Sequence, residues 1–300
     1  MSTPAQRSGQ QQGQAASRVG QFLGWGTFFC GFVPGLLQYR AGDRARAAAA
    51  FLSCTVLYFV GWALVGDRLF HFALVSAEPG GAWVPARIGI PLTLPEFLNL
   101  PAHLIGSIAG FDSSYEGLRL WRLPRPLEDL GGFLTAASGM LAAFWAADGH
   151  WRLRWMRDAV DQQTEAPPVN PALAAGVSWL LPGLGHALAG QKQKGLLMGA
   201  AVAILCALGL WFSQGHAIDR AIASVWWIGE SLFGGGALFA ALVTAPIDMG
   251  PGFPANLELG TNLCTVAGLM NLVVMIDAYT VAERRSFPLP AAAAPKGAGQ

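Results

Sequence analysis

Long apolar windows with nothing ionised in them alternate with short polar turns along most of this chain. No residue charged at neutral pH lies in 19–39, 47–66, 130–147, 166–191, 195–218 or 259–276. A helix needs about 20 residues to cross the ~30 Å hydrocarbon layer, and each window approaches or exceeds that length. Two further windows, 88–111 and 221–247, each hold a single acid, Glu96 and Glu230. Buried helices of a soluble protein would show polar faces at 3.6 spacing, and these windows show none. The pattern predicts an all-α polytopic membrane bundle of about eight transmembrane segments, four in each half.

Two windows carry the same punctuation. Pro34-Gly35-Leu36 leads into Ala41-Gly42 and then Arg44 and Arg46. Pro182-Gly183-Leu184 leads into Ala189-Gly190 and then Lys192 and Lys194, 148 positions later. Proline removes a backbone donor and glycine tolerates the bend, so each pair should end or kink the first helix of its half. The turn that follows should set the basic side chains at a headgroup surface.

A second anchor closes each half. Leu130, Gly131, Leu134, Gly139 and Asp148 match Leu259, Gly260, Leu263, Gly268 and Asp277 at an offset of 129, and between the anchors Glu96 aligns with Glu230 at 134. Matches in the same order predict two parallel four-helix repeats about a pseudo-two-fold axis along the membrane normal. The expected organisation is a disordered leader at 1–19, repeat 1 at 20–148, a linker at 149–170, repeat 2 at 171–285 and a disordered tail at 286–300.

The second copy reads Asn170-Pro171, Trp179, Pro182-Gly183-Leu184-Gly185-His186, Gly190 and Lys194-Gly195, and closes on Leu259-Gly260, Gly268, Asn271 and Asp277-Ala278-Tyr279. This resembles a bacterial family of small polytopic membrane proteins of unknown function. The Pro-Gly-Leu-Gly hairpin is also similar to that of the two-helix TM2-type membrane domain. The first copy departs from the pattern, with Leu37, Gln38 and Gly149-His150 where the second has Gly185, His186 and Ala278-Tyr279. The resemblance implies a membrane fold and brings no activity.

Composition agrees with a lipid solvent. Apolar residues make up 53% and charged residues 12% of the chain, about half the ~25% charge of a soluble domain. A net charge of +1, with no basic stripe among aromatics, excludes nucleic acid as a partner. Cys30, Cys54, Cys206 and Cys264 all lie in apolar sequence without a CxxC pair and read as small core hydrophobes. Small-xxx-small pairs such as Gly31/Gly35 and Gly195/Gly199 suit close helix contact. If every segment spans, the termini and the linker share a face with 11 of the 19 Lys and Arg. The positive-inside rule then puts the termini in the cytoplasm of a bacterial inner membrane, a count that re-entrant Pro-Gly segments would change.

Candidate chemistry is sparse. Glu96 and Glu230 are intramembrane acids and so functional candidates, able to hold a cation or carry a proton as a pair, or simply to hydrogen-bond a neighbouring helix. Asp148 and Asp277 end the last helix of each half and should anchor it, by pairing with a nearby arginine of Arg152/Arg154 and Arg284/Arg285 or by capping a neighbouring helix N-terminus. Asn271 can join helices through its amide. His186 and His103 could be haem or metal ligands, but no C-x-x-C-H or H-E-x-x-H accompanies them, which favours hydrogen-bonded histidines. Pro34, Gly35, Pro182, Gly183, Gly185 and Gly190 are structural turn residues. No catalytic, cofactor or metal set is expected. The leading expectation is a non-enzymatic scaffold or accessory subunit, its partners the bilayer and membrane proteins or further copies of itself. The alternative is a small transporter or channel-like protein using Glu96 and Glu230.

Overall fold

The structure, a computed structural model, describes residues 29–66, 94–109, 127–162, 169–218, 224–244 and 254–286. The leader, the connections at 67–93 and 110–126 and the tail beyond Ser286 lie outside the described residues. All regular structure described is helical. In chain order the helices are α1 (Leu36–Arg40), α2 (Arg44–Val65), α3 (Leu100–Ala109), α4 (Glu128–Gln162) and α5 (Pro171–Leu180). They continue with α6 (Leu184–Leu188), α7 (Lys192–Phe212), α8 (Ser224–Ser231), α9 (Gly234–Val243) and α10 (Leu257–Ser286). Single 3-10 turns occur at Glu96–Leu98 and His216–Ile218.

Local chemistry sets where these helices begin. Asp43 caps α2 by accepting a hydrogen bond from Arg46 N at 3.0 Å. Asn170 caps α5 through Ala172 N, with Pro171 in the first turn where its missing N–H costs nothing. Gly35 and Gly183 precede α1 and α6 in the same left-handed conformation, φ 84° and 82°. A side chain there would also strike the carbonyl of Ala47 or Gly195.

Of the eight expected spans, four stand as single long helices, and the first, 19–39, lies in part outside the described residues. Among the described residues, α2, α4, α7 and α10 are long and apolar enough to cross a membrane. Three further windows are broken: 166–191 holds α5 and α6, 221–247 holds α8 and α9, and 88–111 holds the Glu96–Leu98 turn and α3. A ten-residue helix such as α5 or α9 rises about 15 Å, half the hydrocarbon thickness. The periodicity that separates a span from two half-spans is absent from an all-apolar window, so length alone misled. The helix carrying Asp148 also runs on to Gln162, through the first part of the stretch assigned to a linker.

Contacts place the half-depth elements. α5 leaves the end of the molecule where Asn170 meets Asp148, and α6 returns there, where His186 meets Asp277. α8 and α9 enter from the other end, since Gly215, just beyond α7, packs on Thr244 at the end of α9. The two breaks meet midway: a side chain on Gly235 would collide with the Leu180 carbonyl, and one on Gly234 with the Trp179 ring. In the first half Leu100 N likewise bonds Phe32 O at 3.1 Å. Pro182-Gly183 therefore lies in a re-entrant turn, and Gly35 shares the backbone conformation of Gly183, while residues 19–28 that lead into Pro34-Gly35 lie outside the described residues. This also corrects the sidedness expected from full spans. Arg46 reaches Asp148 (3.9 Å) and Lys194 reaches Asp277, so the basic turns share a face with the ends of α4 and α10. Every lysine and arginine among the described residues stands at this end, while Glu128, Asp129 and Glu258 stand at the other.

Glycines let the long helices touch. α2 runs antiparallel to α4 with Gly61 against Gly131 and Thr135, and α7 antiparallel to α10 with Gly209 against Gly260 and Cys264. Gly139 takes the backbone of Pro95 and Glu96, and Gly268 that of Gly229 and Glu230. The two halves join where the Phe133 and Trp179 rings stack at 5.8 Å and where Arg154 meets Glu283 at 2.7 Å. Apolar side chains on α2 and α7, including Leu52, Val56, Leu196 and Leu197, face outward.

Three glycine substitutions separate strain from collision. Gly176→Ala, which meets only ordinary contact with Phe144, should be neutral or stabilising by about 0.5–1 kcal/mol. Gly42→Ala keeps a φ of 86° in open space and should cost about 1–2 kcal/mol. Gly183→Ala adds a backbone collision and should cost about 2–5 kcal/mol. Thermal unfolding of the purified protein in one detergent ranks the three.

Candidate functional site

Two kinds of polar site lie inside this apolar frame, one at mid-depth and one at the basic end. At mid-depth the helix breaks free backbone groups that hydrocarbon cannot satisfy. Side chains take them up. Asn271 Nδ2 donates to the carbonyls of Trp179 (3.3 Å) and Leu232 (2.9 Å), and Trp179 Nε1 donates to Ser231 O at 2.9 Å. Ser178 Oγ accepts from Gly185 N at 3.0 Å. Asn271 thus holds both hairpins of the second half from α10, which is the joining role its position suggested.

Each half buries one carboxyl beside such a break. Glu230, in the last turn of α8, is 1% exposed and its backbone lies on Gly268 of α10. Glu96, also 1% exposed, lies on Gly139 of α4 and accepts a hydrogen bond from Thr135 Oγ1 at 3.1 Å. The two acids occupy matching places against different long helices, and neither reaches the basic end of the molecule.

At the basic end each closing aspartate gathers a separate cluster. Asp277 binds His186 Nε2 at 2.6 Å and also Lys194 Nζ, tying α10 to α6 and α7. His186 is fully buried, and its Nδ1 has no hydrogen-bond partner. Asp148 takes Arg152 Nε at 2.9 and 3.0 Å, Asn170 Nδ2 at 2.5 Å and the more distant Arg46, tying α4 to α2 and to the cap of α5. Gln38 sits where the second half has His186 and donates through Nε2 to Trp145 O at 2.6 Å.

The sequence placed the aspartates as anchors and named Arg152 correctly, but not the partners of Asp277. Those are His186 and Lys194, whereas Arg285 packs its guanidinium over Gly190. The signal was present as the Arg46/Lys194 match combined with the Asp148/Asp277 match, two anchors that had no reason to meet while their turns were assigned to opposite faces. His103 lies beside the Tyr58 hydroxyl at 3.4 Å in the first half, and His186 beside Asp277 in the second, so they do not form a ligand pair. Among the described residues no three His, Cys, Asp or Glu side chains cluster as a metal site.

Residues 173–286 match the model of a family of unknown function (DUF6677), a stretch that runs from the first turn of α5 to the end of α10. It contains Asn271, Glu230 and the His186–Asp277–Lys194 cluster. No curated protein and no solved structure matches the chain.

The His186–Asp277 contact should behave as a coupled pair. In a double-mutant cycle with His186→Gln and Asp277→Asn, unfolding in detergent should give a coupling energy of about 1–3 kcal/mol. His186→Gln alone should be the milder change, because Gln38 already occupies the corresponding corner.

Proposed function

We propose that the chain is a tandemly duplicated, non-enzymatic protein of a bacterial inner membrane that passes a proton or small cation through opposed half-depth hairpins. The duplication is supported by contacts that recur at the sequence offsets: Gly35–Ala47 with Gly183–Gly195, Gly61–Gly131 with Gly209–Gly260, and Gly139–Glu96 with Gly268–Glu230. The turn of each half is of the Pro-Gly kind found in TM2-type hairpins. Cytoplasmic exposure of the basic end, and with it of the linker and the end of α10, is supported by the segregation of lysine and arginine.

The transport reading is carried by one observation: in each half a buried carboxyl stands beside a helix break at mid-depth, Glu96 and Glu230. Ionisable groups inside the membrane are costly, and broken helices at a repeat interface are where transport sites form. The acids would carry the proton or ligate the cation, while Asn271 and the Trp179–Ser231 bond hold the breaks open against collapse. Full-length protein in liposomes loaded with a pH-sensitive dye tests this. A proton or alkali-cation gradient should drive flux, and Glu96→Gln and Glu230→Gln should each reduce it at least tenfold. Flux absent in the wild type, or unchanged in both variants, removes the reading.

A scaffold or accessory subunit is the second reading, supported by the outward apolar faces of α2 and α7, whose apolar stretches are only 28% and 22% buried. Mild-detergent purification should then recover a recurrent membrane partner or a homo-oligomer. A monodisperse lone monomer counts against it.

A further inference from the structure

The first-half corner beside Asp148 holds a half-open cavity of about 370 Å³ whose walls include Gln38, Asp43, Trp151, Arg152, Trp155 and Asn170. The second half differs at these very positions. Where Gln38 and Gly149 stand, the second copy has His186 and Ala278, both fully buried, with Lys194 drawn onto Asp277. Residues that look like decay of the first copy therefore line a cavity.

Its chemistry is mixed and balanced. The Trp151 and Trp155 rings stack at 5.9 Å, with the Arg152 guanidinium over the Trp151 ring, also at 5.9 Å. Arg152 spends only its Nε on Asp148, so its terminal nitrogens remain available to an anion. Gln38 Oε1, a buried acceptor, and Trp151 Nε1, a buried donor, both lack partners. The amide is fixed in orientation because Nε2 is held by Trp145 O. Asp43 and Asp148 offset Arg46 and Arg152, so the corner has no net charge with which to select a plain anion. It lies among the basic side chains that mark headgroup depth.

We propose that this cavity binds the headgroup of an amino-phosphodiester lipid, a primary ammonium directed at Gln38 Oε1 and the phosphate at Arg152 and Trp151 Nε1. The inference is independent of ion transport. A primary ammonium is required because a quaternary one has no N–H to give Gln38.

Native mass spectrometry of the full-length protein, titrated with phosphatidylethanolamine, phosphatidylcholine or phosphatidylglycerol of equal chain length, tests it. One phosphatidylethanolamine per chain should be retained about tenfold more strongly than either other lipid, as one charge-assisted hydrogen bond allows. Gln38→Leu should abolish the preference over phosphatidylcholine. Trp155→Ala, at a half-buried ring, should weaken retention of phosphatidylethanolamine about fivefold and keeps the test decisive if the first variant does not fold. Soluble glycerophosphoethanolamine at the same concentration should not compete. Equal retention of the three lipids overturns the proposal, as does an unchanged preference in folded Gln38→Leu or unchanged retention in Trp155→Ala. Equal competition by the soluble headgroup overturns the lipid as its source.

Discussion

Hydrocarbon offers no hydrogen bonds, and every departure of this backbone from helix must be satisfied from within the protein. That constraint explains the polar inventory better than any catalytic demand. Asn271, Ser178, Trp179 and Asn170 each bind a backbone group freed by a helix end or break. An unpaired peptide group at this depth costs several kcal/mol, more than the whole net contribution of most single contacts. A handful of polar side chains is therefore enough to permit the interruptions of the second half in an otherwise apolar interior.

Close approach is the second half of the same solution. Lipid is as apolar as leucine, so helices gain little by hiding their apolar faces and associate through dense van der Waals contact instead. Gly61, Gly131, Gly209 and Gly260 bring backbones together, and Gly139 and Gly268 admit the backbone of the segments that carry Glu96 and Glu230. The acids are thus presented on backbone seated against a long helix, a rigid setting for a charged or protonated group.

Much of this was legible in the residues and some was not. Helical class, the Pro-Gly turns and the anchoring role of Asp148 and Asp277 follow from charge exclusion and backbone chemistry, which act locally. The number of crossings does not. Window 166–191 is uniformly apolar whether it crosses once or dips and returns, and the deciding contacts, Asn170 with Asp148 and His186 with Asp277, join residues far apart in sequence. The partners of Asp277 stayed hidden for the same reason. The cavity beside Gln38 was legible only as a loss of pattern, since glycine at 149 and glutamine at 38 say what is missing and not what fills the space.

The short length of α5 and α9 has a consequence for how the protein is made. Ten apolar residues cannot be handed to the bilayer as a span, because their open ends would enter lipid unsatisfied. Part of what satisfies them resides on α10, where Asn271 takes up the carbonyls of Trp179 and Leu232. The first hairpin of the second half is therefore synthesised some 90 residues before its anchor. Until α10 is made, the carbonyls of Trp179 and Leu232 lack the amide that takes them up, so the seating of this hairpin depends on a helix that comes later in the sequence.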